Sequence, residues 1–126
     1  HWLLTFASLL EEEATAETDR ETIASVFNNR MKKDMPLQTD PTVLYALGEH
    51  KDRVLYDDLE IDHPYNTYKI QGLPPGPISS PGSISIDAVL NASETDYYYF
   101  LADKERKNHF SKTYEEHLAK IEEYLR

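Results

Sequence analysis

Three consecutive carboxylates, Glu11, Glu12 and Glu13, follow a short apolar stretch at the start of the chain. Apolar residues recur every three or four positions from Leu3, which predicts a helix to about Ala14 with one buried stripe. Glu11 borders that stripe and has small neighbours, so we expect desolvation to raise its pKa. A carboxylic acid that stays neutral near pH 7 can act as a general acid. The competing interpretation is a solvated acidic helix end.

Glu13 is the second candidate in this segment, because it follows the apolar Leu10 by three residues. Each residue advances about 100° around a helix, which turns Glu12 and Glu13 successively away from Glu11. We therefore expect the stronger upward pKa shift at Glu11, with the neighbouring like charges adding to it.

Two polar segments further along the chain have groups that could bind a substrate around such an acid. In residues 38–40, Asp40 precedes Pro41 and could equally serve as a helix cap. Residues 65–68 carry hydroxyl and amide groups suited to sugar hydroxyls and acetamides, or to closing a loop on itself. The candidate substrate-binding residues are Gln38, Thr39, Asp40, Tyr65, Asn66, Tyr68 and Glu13.

Composition argues against several other functions. The 126 residues carry a net charge of −10, which disfavours binding to nucleic acid or to anionic lipid. The chain has no cysteine, and its five histidines lack the spacing of a metal-binding motif such as HExxH. Nine tyrosines suit a surface that combines ring contacts with hydrogen bonds, such as a sugar-binding groove. We predict no cofactor, no metal site and a domain that lies outside the membrane.

The remaining pattern predicts a mostly helical, single α+β domain over residues 1–126. Helices are expected at residues 19–33, 41–48 and 83–91, with a helical turn near 57–59. Thr18 and Glu21 form a capping box before the first of these helices, whose exposed face carries Arg30. Residues 61–82 are rich in proline and glycine, which predicts a long, stiff loop that could form a groove wall.

The carboxyl-terminal third predicts a small antiparallel β element and a last helix. The aromatic run at 97–101 should form a strand that pairs with 109–111. Thr113 and Glu116 form a capping box that opens the last helix. The helical spacing predicts that three apolar side chains of this helix point inward, namely Leu118, Ile121 and Leu125.

Four segments, in this order, resemble the catalytic domain of the YceG/MltG-like endolytic murein transglycosylases. They are ASLLEEE at 7–13, LQTDPTV at 37–43, YNTY at 65–68, and GLPPGPI with SPG within 72–82. Residues 24–31 and 98–103 also match, so the resemblance spans essentially the whole chain. The family usually has Glu-Lys-Glu where this chain has Glu11-Glu12-Glu13, a difference that leaves both outer acids in place.

The resemblance implies a bacterial enzyme that cuts peptidoglycan glycan strands internally, in a groove like that of lytic transglycosylases. It implies that Glu11 is the catalytic acid/base. It also implies a longer protein at the extracytoplasmic face of the cell membrane, anchored by an amino-terminal segment absent from this chain. Cell-wall synthesis proteins, such as penicillin-binding proteins, are the partners that the resemblance suggests.

The expected reaction needs one carboxyl group. Protonated Glu11 would give its proton to the oxygen between N-acetylmuramic acid and N-acetylglucosamine, and then take one from the muramic acid 6-hydroxyl as a 1,6-anhydro ring closes. We expect Gln38, Asn66 and Tyr68 to orient the substrate. Two alternatives are a hydrolytic muramidase that uses Glu11 with Asp40, and a non-catalytic peptidoglycan-binding or scaffold module.

Overall fold

The computed structural model describes residues 1–13, 19–48 and 55–125. The elements of these residues are α1 Trp2–Glu13, α2 Arg20–Lys32, α3 Asp40–Leu47, a 3₁₀ helix Tyr56–Glu60, α4 Ser83–Leu90, β1 Tyr99–Ala102, β2 Asn108–Ser111 and α5 Tyr114–Leu125. The predicted α+β class is confirmed. The predicted helix end at Ala14 and the capping residue Thr18 lie outside the described residues. Among the described helices, none has the length and apolar character needed to cross a bilayer.

Helix α1 lies at the centre of the domain. Its residues 5–10 are six consecutive positions with at most 1% of their surface exposed. The single buried stripe predicted for this helix is therefore wrong, because α2, α3 and α4 all contact it. Phe27 of α2 and Val89 of α4 belong to the same apolar core as Phe6 and Leu10 of α1. In such a helix, side chains two positions apart point in directions that differ by about 200° around the helix axis, so they contact different neighbours.

Polar side chains inside α1 hold the proline-rich loop. The hydroxyl of Ser8 donates to the carbonyl of Thr5 at 2.7 Å and accepts the N–H of Ile78 at 3.0 Å. The hydroxyl of Ser79 donates to the carbonyl of Ser8 at 3.3 Å. The prolines of this loop have no N–H to donate, so the loop cannot form a strand ladder. The Ser8 hydroxyl instead satisfies the backbone N–H of Ile78.

Glu11 binds the amino end of α4. Its Oε1 accepts the N–H of Gly82 at 2.8 Å and the hydroxyl of Ser85 at 3.1 Å, and its Oε2 lies 3.6 Å from the Arg20 guanidinium. The N-cap residue Gly82 has no side chain, so Glu11 supplies the cap from another helix. The Gly82 bond above all, with Ser85 and Arg20, lowers the pKa of Glu11 although partial burial opposes this. The predicted upward shift is therefore wrong.

The predicted β hairpin is confirmed, with its first strand shifted toward Ala102 and its second strand beginning at Asn108. Strand β1 begins at Tyr99 and pairs antiparallel with β2, with Tyr99 opposite Ser111 and Ala102 opposite Asn108. Tyr98 precedes the strand but still donates its N–H to the carbonyl of Ser111 at 3.0 Å. The hairpin contacts both α2 and α5, so it joins the last helix to the rest of the domain.

Helix α5 packs on the hairpin without becoming buried. The predicted capping box is confirmed: the Thr113 hydroxyl accepts the N–H of Glu116 at 3.2 Å, and the Glu116 carboxylate accepts the N–H of Thr113 at 3.1 Å. None of the α5 residues is buried, and Leu118 and Leu125 are 44% and 40% exposed. Their predicted inward orientation is wrong, because a two-stranded hairpin is too narrow to cover the apolar side of a twelve-residue helix.

The cap that Glu11 provides predicts a stability effect. Glu11→Ala removes the acceptor for the Gly82 N–H and the Ser85 hydroxyl, and it leaves Arg20 without its carboxylate. We expect the free energy of unfolding, measured by urea denaturation, to fall by about 1–2 kcal/mol. Glu12→Ala is the matched control, because Glu12 is exposed in the same helical turn. Equal losses in the two variants would contradict the capping role.

Candidate active site

A cleft of about 340 Å³ lies beside the carboxyl end of α1. A volume of this order suits a small ligand or a few units of a polymer. Its walls come from α1, α2, the segment that leads into α3, the hairpin and the first turn of α5. The lining residues are Glu13, Arg30, Leu37, Gln38, Asp40, Tyr68, Tyr99, Phe100, Leu101, Ala102, Asn108, Tyr114 and His117. Glu11 is not among them, because it is directed toward α4.

Glu13 is the acid of α1 that reaches this cleft. Its Oε1 accepts the hydroxyl of Thr39 at 3.3 Å. Burial is the main cause that raises the pKa of Glu13 to about 7, and the negative charge of Asp40 adds to it, while the Thr39 bond opposes both. A carboxyl group with this pKa is present in both protonation states near pH 7, so it can donate a proton and then accept one.

Residues 38–40 bring polar groups to the mouth of the cleft through an unusual backbone. Gln38 has a φ of 52°, in the left-handed region that non-glycine residues seldom occupy. Thr67 holds this turn: its carbonyl accepts the N–H of Gln38 at 3.2 Å, and its hydroxyl accepts the N–H of Thr39 at 2.9 Å. Strained backbone of this kind is often retained at functional sites.

The capping role considered for Asp40 is wrong. Thr39 occupies the N-cap position of α3, and Asp40 is the first helical residue. The Asp40 carboxylate accepts the hydroxyl of Tyr68 at 2.6 Å. Burial first, and then this bond, raise the pKa of Tyr68, so Tyr68 stays protonated and donates. Asp40 and Tyr68 therefore form a polar pair in the cleft that also contains Glu13.

Asn66 and Tyr65 lie behind the cleft rather than in it. Asn66 is fully buried, and its amide nitrogen donates to the carbonyls of Leu59 and Ile61 at 3.0 and 2.8 Å. Its Oδ1 accepts the N–H of Tyr68 at 3.0 Å, so Asn66 fixes the backbone that carries Tyr68. Tyr65 packs against Tyr45 with ring centroids 4.8 Å apart. Direct substrate contact, as predicted for Asn66, does not fit an enclosed side chain whose polar atoms are all engaged.

Arg30, predicted to be exposed, is a buried cation in the wall of the cleft. It is 8% exposed, its Nε donates to the Tyr98 carbonyl at 2.7 Å, and its Nη1 donates to the Pro36 carbonyl at 2.9 Å. The guanidinium carbon lies 5.0 Å from the centre of the Tyr99 ring. Burial is the main cause that lowers the pKa of Arg30. An arginine held at so many points places a fixed positive charge beside the acids.

The fold and the cleft together define an α+β domain with a polar groove that contains the carboxyl groups of Glu13 and Asp40. A model of the YceG-like family matches residues 1–123, and the chain belongs to this family. A crystal structure of a YceG-like protein from Listeria monocytogenes superposes with a TM-score of 0.92 at 61% identity. The match covers 94% of this chain and 39% of that one.

Two curated relatives carry the name endolytic murein transglycosylase. The protein from Bacillus subtilis strain 168 is 62% identical over 125 residues, which are 99% of this chain and 35% of the relative. The protein from Streptococcus pneumoniae serotype 2 (strain D39 / NCTC 7466) is 40% identical over 129 residues, which are 98% of this chain and 23% of the relative. The chain thus spans about a third or less of the curated relatives that it matches.

The raised pKa of Glu13 predicts a specific pH dependence of stability. The folded protein keeps a proton on Glu13 up to about pH 7, whereas an unfolded glutamate releases it near its ordinary pKa of 4.5. The stability associated with this proton is therefore complete below pH 4.5 and is lost as the pH rises to about 7. Over that window we expect the unfolding free energy to fall by on the order of 3 kcal/mol relative to Glu13→Gln.

Urea unfolding of both proteins at pH 4.5, 6 and 7.5 measures this difference. Comparison with Glu13→Gln removes the contributions of the other titratable groups. One of these is Glu11, whose lowered pKa means that its protonation affects stability at more acidic pH. Parallel pH curves for the two proteins would contradict burial of a protonated Glu13.

Proposed function

We propose that the chain is the catalytic domain of an endolytic murein transglycosylase that cuts peptidoglycan glycan strands without using water. Membership of the YceG-like family and the names of the two curated relatives support this proposal. The observation that carries it is Glu13, a carboxyl group with a pKa of about 7 in a polar cleft. We propose Glu13, rather than Glu11, as the acid/base.

The proposed reaction uses Glu13 twice. Its proton passes to the glycosidic oxygen as the bond between that oxygen and the anomeric carbon of N-acetylmuramic acid breaks. The carboxylate then takes the proton of the 6-hydroxyl of the same sugar, whose oxygen attacks the anomeric carbon. One carbon–oxygen bond breaks, one forms, and Glu13 regains its proton. The products are a free 4-hydroxyl on N-acetylglucosamine and a 1,6-anhydro-muramic end, with no water consumed.

The neighbours of Glu13 have supporting roles in this proposal. The negative charge of Asp40 raises the pKa of Glu13 and also stabilises positive charge on an oxocarbenium-like sugar. Tyr68 orients Asp40 through its hydroxyl, and Thr39 orients Glu13. Gln38 presents an exposed amide at the mouth of the cleft, where it can bind an acetamide of the substrate.

Asn66 and Tyr65 support the site from behind. Asn66 positions Tyr68 by accepting the backbone N–H of Tyr68, and Tyr65 packs against Tyr45 of α3. In this proposal Glu11 is a structural residue, since its carboxylate is committed to the amino end of α4 and its pKa is lowered.

The substrate also suggests a location and partners. Peptidoglycan lies outside the bacterial cytoplasmic membrane, so we place the domain at the extracytoplasmic face of that membrane. Enzymes that make the same strands, the penicillin-binding proteins, are the partners that the shared substrate suggests.

Substitution of each acid tests the assignment. Glu13→Gln removes the exchangeable proton and should reduce the cleavage rate of purified, un-crosslinked glycan strands by about 10²–10⁴-fold, the usual contribution of a general acid/base. Glu11→Gln keeps an oxygen for the Gly82 N–H, so it should retain most of the activity at a temperature where the variant is folded. The opposite pattern, with Glu11→Gln inactive and Glu13→Gln active, would return the catalytic role to Glu11.

The mass of the products separates two related functions. A transglycosylase leaves anhydro ends that are lighter by one water than hydrolysed ends. Asp40 lines the same cleft as Glu13, which makes a hydrolase with these two acids the specific rival. Hydrolysed ends would favour that rival, and binding without any new ends would favour a non-catalytic module.

The pH dependence of the rate gives a further test. Because the first step needs protonated Glu13, kcat/KM should decline as the pH rises above about 7, the pKa of this carboxyl group in the folded protein. The ordinary glutamate pKa of 4.5 would place this decline far lower. Glycan digestion between about pH 3.5 and 9 under saturating and limiting substrate measures the profile. A decline near pH 4.5 would contradict the role of Glu13.

A further inference from the structure

We propose that the aromatic wall of the cleft, formed by Tyr99, Tyr114 and His117, binds a sugar ring of the glycan strand next to the cleaved bond. This inference rests on the proposed function and names the residues that would hold a second unit of the polymer. The ligand is an uncharged, N-acetylated hexose ring, bound with its C–H face against the exposed ring of Tyr114.

The three rings form one packed cluster, in which the Tyr99 and His117 rings stack on each other and Tyr114 is the exposed member. The Tyr99 centroid lies 5.7 Å from that of Tyr114 and 5.1 Å from that of His117, and the last two lie 6.4 Å apart. All three residues line the cleft that contains Glu13. Tyr114 is 54% exposed, so much of its side chain is accessible to a ligand.

Local structure fixes this surface before any ligand binds. Tyr114 and His117 lie three residues apart at the start of α5, so their side chains share one face of the helix. The capping box of Thr113 and Glu116 sets the position of that first turn. Tyr99 is supported by the buried Arg30, whose guanidinium lies over its ring. Rigid aromatic rings bind at a low cost in conformational entropy.

The chemistry of the wall favours a neutral sugar over a charged ligand. Burial is the main cause that lowers the pKa of His117, and the nearby Arg30 charge contributes, so the imidazole is neutral at pH 7. The positive charge of Arg30 shares the cleft with the acids Glu13 and Asp40, so the cleft has no excess of positive charge to hold an anionic ligand. A ring that is apolar on its faces and polar at its edge matches tyrosine and histidine rings, which have the same character.

A polymer-cutting enzyme also has a use for such a wall. Interactions with remote parts of a substrate can supply the energy that orients and distorts the reacting unit. The cleft extends from Glu13 to α5, well beyond the carboxyl group that would act on one bond. The aromatic wall is the described part of this cleft that best fits a non-reacting sugar.

Binding measurements on an inactive parent test the inference. Glu13→Gln protein is titrated calorimetrically at pH 7 with peptide-free, un-crosslinked glycan strands. Adding Tyr114→Ala should weaken binding roughly three- to tenfold, the range for loss of one aromatic contact. Adding Tyr114→Phe should restore nearly the parental affinity, because the ring face is kept.

Tyr56→Ala is the matched control. Tyr56 is 91% exposed on the 3₁₀ helix and does not line the cleft, so its removal should leave affinity unchanged. Equal binding by Tyr114→Ala and the parent would overturn the aromatic wall alone. If the parent itself bound no glycan strands, the proposed function would fail together with the wall. Circular dichroism confirms that each variant is folded.

Discussion

The burial of α1 on every face is the constraint on which the site depends. Because no side of its middle turns faces solvent, the acids at its end must lie against different parts of the protein. Glu11 and Glu13 differ by about 200° around the helix, so one meets the donors of α4 and the other meets Thr39 and Asp40. Hydrogen bonds lower the pKa of Glu11, and desolvation raises the pKa of Glu13.

The cleft around Glu13 is assembled from segments that are distant in sequence. Thr67 bonds Gln38 and also Thr39, the latter 28 residues earlier in the chain, and Asn66 fixes Tyr68, which in turn bonds Asp40. This chain of contacts explains how a strained Gln38 can persist, since several fixed partners determine its backbone. The segment at 65–68 therefore acts mainly as a scaffold, with Tyr68 as its contribution to the surface of the cleft.

Local sequence pattern predicted the elements well but not the surroundings of the acids. Helical spacing, the capping box at Thr113 and the aromatic strand depend on neighbours within a few residues, which the sequence displays directly. Local pattern could not show which of Glu11 and Glu13 meets the cleft, because Glu11 is bound by Ser85, which lies 74 residues away in the chain. The assumption of one buried stripe on α1 also favoured Glu11. Arg30 was readable, because it follows the buried Phe27 by three positions and so shares its face.

An acid that must both give and take a proton needs a pKa near the working pH. Burial and the negative charge of Asp40 both raise the pKa of Glu13 toward that value. Burial alone would favour the neutral acid, but it would also remove any stabilisation of the positive charge that forms on the sugar. Asp40 raises the pKa of Glu13, and in the proposed reaction it also supplies that negative charge. With burial alone, the positive charge on the reacting sugar would be poorly stabilised. With the charge of Asp40 alone, the carboxyl group would be a weaker general acid near pH 7. In the proposed reaction the pair needs no second proton-transferring carboxylate, because the substrate hydroxyl serves as the nucleophile.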